Sequence, residues 1–154
     1  MKVISDSSPL IFLSAIGLLD ILRIEFGEVL IPEVVYQEVT ANDLKGSDVV
    51  EDADWIKVVP IENMESLFLL PSLDAGEREA IILASEQNAD LLLVDDLAGR
   101  RAATMYEVNV MGTLGFLKVM HRKGRVKNLK GVLDDLREHG FWMDVNLYRR
   151  MLED

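Results

Sequence analysis

The stretch Leu91-Leu92-Leu93-Val94 is apolar throughout, as are Val29-Leu30-Ile31 and Val3-Ile4, and segments of helical periodicity separate these runs. A strand with one wet face alternates apolar and polar residues; a strand without polar breaks is buried on both faces, which is the condition of a parallel sheet covered by helices. The expected fold is therefore α/β: a single-domain open parallel sheet of four to five strands flanked by helices in three layers, α/β/α. Further strands are expected over 55–59 and 108–110. Leu10, Ile11, Leu13, Leu18, Leu19 and Leu22 recur at helical spacing up to a polar break near Arg23 to Glu25. Pro32 suits the first turn of a helix over 33–40. Asp74, with Glu77 three residues on, forms a capping-box-like start for a long helix to about residue 87. Residues 97–106 and 114–122 read as helices, and the polar stretch 42–54 as a loop or a marginal helix.

At 154 residues, with 49% hydrophobic, the chain fits one domain with a sizeable core. The absence of cysteine excludes disulfides and thiolate zinc sites, and only two histidines, His121 and His139, leave little imidazole for metal binding or acid–base work. Any metal must rest on oxygen. A net charge of −11 argues against broad, non-specific nucleic-acid binding and favours a basic partner or locally held cations. The N-terminus runs into a strand-like segment without a long apolar signal region, and no stretch is long enough to span a membrane, so a cytoplasmic location without membrane association is expected. There is no phosphate-cradling Gly-x-x-x-x-Gly-Lys-Ser/Thr loop, no dinucleotide Gly-x-Gly-x-x-Gly and no Gly-x-Ser-x-Gly.

In open α/β sheets, ligands bind beyond the carboxyl ends of the strands, where connections diverge. Asp6 and Asp95 both fall at that edge. An aspartate after a strand also serves as a helix cap, and Asp6 before Ser7-Ser8-Pro9 suits that role. Glu38 sits at the border of the apolar stripe formed by Val34, Val35 and Val39, where a carboxylate needs a partner or exposure at a rim. On the 74–87 helix, Glu77 and Glu79 point in nearly opposite directions; Glu77 has a ready role as the capping-box acid, which makes Glu79 the better ligand candidate. Asp95 and Asp96 are adjacent acids that repel unless solvated or bridged by a cation. Grouped oxygen ligands suit Mg2+ or Mn2+, which support phosphodiester hydrolysis.

Four segments in order, Val3-Ile4-Ser5-Asp6-Ser7-Ser8, Pro32 through Val39, Asp74 through Ile81 and Leu91 through Asp96, resemble the PIN domain, especially the branch related to VapC-type toxins. The segment Val110-Met111-Gly112-Thr113-Leu114-Gly115 is similar to a further part of that branch. The resemblance implies a Mg2+- or Mn2+-dependent ribonuclease, a hydrolase often neutralised by a small antitoxin protein. By position, Asp6, Glu38, Glu79 and Asp95 match its catalytic and metal-binding acids, Asp96 an additional ligand, and Ser7 and Thr113 supporting hydroxyls. Glu79 departs from the aspartate that many members carry there. The chain divides into a nuclease-like domain over 1–124 and a C-terminal helical extension over 125–154, packed on the same domain or at an interface and suited to a homodimer or antitoxin contact. Arg100 and Arg101, about one turn after the aspartate pair, are candidates for holding RNA phosphates. The competing expectation is a PIN-like binding or scaffold protein that does not cleave, its acids serving as caps and solvated charge.

Overall fold

The computed structural model describes residues 1–41 and 46–153, and the reading of 42–45 as part of a polar loop lies outside the described residues. Five short strands form one all-parallel sheet: β1 (Val3–Ser5), β2 (Val29–Ile31), β3 (Ile56–Val58), β4 (Leu91–Leu93) and β5 (Val110–Met111). Their order is β3-β2-β1-β4-β5. The chain starts in the middle, builds outward to one edge, then returns to β1's other side, so the connections diverge between β1 and β4. The predicted α/β fold is the observed one.

Alternation along each strand sorts side chains into two cores, as a two-residue period requires. Val3, Val29, Ile31 and Leu93 face one layer; Ile4, Leu30, Leu92 and Val94 face the other. The second layer holds α5 (Ala75–Glu86) and α6 (Leu97–Met105), through Ala80, Ile81, Leu83 and Ala103. The first holds α1 (Ser7–Ala15), α2 (Asp20–Phe26), α3 (Glu33–Val39), α4 (Ser47–Glu51) and α7 (Thr113–Arg122). A 3-10 helix, Met64–Leu69, precedes α5.

The apolar series from Leu10 to Leu22 forms two helices rather than one. Gly17 takes φ +76°, and the N–H groups of Gly17 and Leu18 donate to Ser14 and Leu13 carbonyls, closing α1 with a left-handed cap. The periodicity survives the break because Leu19 and Leu22 bury against the same core. The 3-residue strands are shorter than the apolar runs suggested, since hydrogen-bonded pairing stops before the side chains cease to be buried.

The tail forms α8 (Leu129–Glu138) and α9 (Val145–Leu152). Val126, Leu129, Leu133, Leu136, Met143 and Met151 are buried in the same core as Leu10, Leu13, Phe116 and Leu117. Leu133 is fully buried, and its replacement by alanine leaves a cavity. Leu133→Ala is expected to lower stability by about 2–5 kcal/mol in a single cooperative denaturant transition. A separate early transition would show instead that the tail is an independent unit.

Candidate functional site

At the divergence of β1 and β4 lies a hollow of ≈ 660 Å³. Six carboxylates line it: Asp6, Glu38, Asp74, Glu77, Asp95 and Asp96. Ser7, Ser8 and Ile11 with Phe12 of α1 form one wall, and Gly140, Phe141 and Trp142 close another.

Asp6 follows β1 directly; its N–H donates to the Leu93 carbonyl at 2.8 Å, which extends the ladder to β4. It stands at the N-cap of α1, yet its side chain makes no capping bond. The carboxyl is 6% exposed. Burial pushes it up to about 7; the Ser7 N–H partly opposes this, and the charges of Asp74, Glu38 and Asp95 add to the rise.

Asp95 is held by hydrogen bonds. Oδ1 accepts from the Thr113 N–H at 2.6 Å, at the first turn of α7, and Oδ2 accepts from the hydroxyls of Thr113 (2.7 Å) and Ser8 (2.8 Å). Three donors and a helix N-terminus fix one carboxylate orientation. Thr113, expected from the sequence to be a supporting hydroxyl, is thus bonded to Asp95. Ser8, which that reading passed over, does what was expected of Ser7, because the neighbouring hydroxyl points along a different direction of α1. The buried Ser7 Oγ has no well-formed hydrogen bond, though it lies near enough to Glu38 to favour that carboxylate's charge. Asp96 lines the hollow and also caps α6, accepting from the Gly99 N–H at 3.1 Å.

Glu38 reaches over the start of α5 from α3, and burial, then the charge of Asp74, raises its pKa. That approach needs Gly76: a Cβ there would collide with the Glu38 carboxylate and come within 3.3 Å of Asp6 Oδ1.

Glu79 is not among the residues lining the hollow. It borders a second cavity with Met64, Glu65, Leu67, Phe68, Ala75 and Arg78, and only a minor electrostatic influence connects it to Glu38. Two helical positions carry a side chain about 200° round the axis, so only one of the pair faces the sheet edge. Glu77 is that one. It is buried, and among the described residues Oε2 has no hydrogen-bond donor. Asp74 does cap α5, accepting from the Glu77 N–H at 2.8 Å, but the Glu77 carboxyl turns towards Asp74 and Asp96. Two carboxyls bond only by sharing a proton, so burial and these neighbours raise the Glu77 pKa strongly.

Neither arginine candidate lines the hollow. Arg100 donates through Nε to the Val94 carbonyl at 3.0 Å and lies 4.0 Å from Asp95 Oδ1, which ties it to the end of β4; Arg101 is exposed on α6.

A family model for the PIN domain matches residues 2–154. The chain belongs to the PIN-domain family. PIN domains are typically nucleases, hydrolases that act on nucleic acid. The matched range runs through α8 and α9. No curated protein matches the chain. No helix among the described residues is long and apolar enough to cross a membrane.

Proposed function

We propose that this PIN domain is a Mg2+- or Mn2+-dependent endoribonuclease, the toxin of a toxin–antitoxin pair. The observation that carries the reading is that six carboxylates line one hollow at the divergence of β1 and β4, one of them buried with an oxygen that no donor among the described residues satisfies. Such crowding of like charge is costly without a cation.

The donor set is all oxygen, which fits a hard divalent ion. Asp6, Glu77, Asp95 and Asp96 would hold it, with Glu38 at the rim. Among the described residues no three carboxylates yet converge closely enough to hold an ion, so those not fixed by hydrogen bonds would have to rotate inward. When bound, the cation supplies a Lewis acid for water attack on a phosphodiester and offsets charge on the leaving oxygen. The chain's own contribution is preorganisation. Ser8 and Thr113 hold Asp95, Gly76 admits Glu38, and Phe12 with Phe141 bounds the hollow with apolar surface.

RNA as substrate and the toxin role follow from the likeness to the VapC-related branch. The net charge of −11 suits a small antitoxin with a basic segment, and homodimerisation is proposed on the same likeness. Incubation of the purified protein with single-stranded RNA should give cleavage with Mg2+ or Mn2+ and none with chelator. An adjacent reading frame for a small protein with a DNA-binding head supports the toxin role, and sedimentation velocity should show a dimer. Absence of cleavage with either metal would favour the scaffold reading.

The acids predict a linked effect on stability. A raised native pKa means that the folded state holds a proton the unfolded chain has released, so stability falls as pH rises from about 4 through about 7 for Asp6. A cation that favours the charged forms removes that loss. Mg2+ should therefore raise the melting temperature more at pH 8 than at pH 5. An equal shift at both values, or none, counts against a carboxylate site.

A further inference from the structure

Trp142 is 78% exposed at the wall of the carboxylate-lined hollow, on a segment whose neighbours are all anchored. Gly140 turns the chain out of α8 at φ +91°, and the Phe141 N–H donates back to the Leu136 carbonyl at 3.0 Å. Phe141 packs edge-on against Phe12 with ring centroids 4.9 Å apart, and Met143 is buried. Asp144 then caps α9, accepting from the Leu147 N–H at 2.7 Å. The indole is thus presented by a backbone fixed on both sides, not by a loose loop. Its exposure is a property of the fold.

The hollow it borders is acidic and repels phosphate, and among the described residues no lysine or arginine lines it. A polyanionic substrate needs a handle there that does not depend on charge, and a nucleobase offers one in its flat π-face. Met64 and Phe68, exposed apolar residues of the 3-10 helix, border a different cavity. We propose that Trp142 is a substrate-positioning residue on which one unpaired base of a single-stranded RNA stacks, setting the adjoining phosphodiester over the carboxylates. This rests on the nuclease reading above.

The test uses the full chain carrying Trp142→Ala or Trp142→Phe, with a single-stranded oligoribonucleotide and the same backbone made abasic. Trp142→Ala should raise KM for the base-bearing RNA roughly five- to a hundredfold, with kcat changed less and the melting temperature unchanged. Trp142→Phe should recover much of that loss. In a Trp55→Phe background, where Trp142 is the sole indole, the base-bearing oligomer in chelator should quench fluorescence and the abasic one should not. Unchanged KM in Trp142→Ala, equal quenching by the abasic strand, or a loss of dimer in place of a KM change each overturns the proposal. If the unaltered protein cleaves but the variants match it, stacking alone fails; if it neither binds nor cleaves RNA, the nuclease reading fails and stacking falls with it.

Discussion

Asp6→Asn is expected to slow RNA cleavage by roughly a hundredfold or more while making the metal-free protein harder to melt at pH 8. The two effects have one cause. Asp6 is buried at the end of β1, which raises its pKa to about 7, with the charges of Asp74, Glu38 and Asp95 adding to the rise. At pH 8 the native state carries this charge against burial and its neighbours; asparagine keeps the shape and removes the charge. Relief on the order of 1 kcal/mol or more is expected, or about 2–4 °C per kcal/mol for a chain of this size. The same substitution removes an anionic donor from the proposed cation site, and losing one preorganised electrostatic group typically costs about 10²–10³ in rate. At pH 5 the wild-type carboxyl is already protonated in the folded protein, so the stability difference should shrink. Cleavage rates with Mg2+ and melts in chelator at both pH values decide the matter. A variant that cleaves at the wild-type rate removes Asp6 from the mechanism, and one that is less stable at pH 8 contradicts the charge argument.

The second large effect separates Glu77 from Glu79. Glu77→Gln should cut cleavage by roughly a hundredfold or more, the loss typical when one preorganised charged group is removed from a site. It should also stabilise the metal-free protein at alkaline pH, because the amide donates to Asp74 or Asp96 at any pH, whereas the Glu77 carboxyl donates only while it holds its proton. Glu79→Gln should leave the rate within about threefold by comparison, since its side chain borders the other cavity. Parallel kinetics of the two variants give the answer by rank order. If Glu79→Gln is the more damaged, the ligand role returns to Glu79.

This reversal shows what the sequence could convey about the site. Asp6 and Asp95 were legible because apolar runs mark strand ends, and a parallel sheet sends strand ends to one edge. The acid on α5 was not. That helix is apolar almost all round, so no stripe indicates which face meets the sheet, and the capping-box pattern drew Glu77 towards a backbone role its carboxyl does not take. Ser8 was hidden beside Ser7 because one residue of helix turns a side chain by about 100°. Phe141 and Trp142 reach the hollow only through the packing of α8 on α1 and α7, which no local pattern encodes. The sheet was legible for the opposite reason: burial on both faces leaves its mark in consecutive residues.

The central position of β1 bears on how the protein is made. Asp6 precedes every other acid of the hollow in the chain, yet β1 pairs with β4, and Asp95 takes its hydrogen bonds partly from Thr113. The wall at Gly140 to Trp142 comes later still. No nascent fragment ending before these residues contains the assembled hollow, and strand pairing across such a separation cannot precede their emergence. A fragment that lacks β4, Thr113 or the wall at Gly140 to Trp142 therefore holds Asp6 without the partners that complete the hollow.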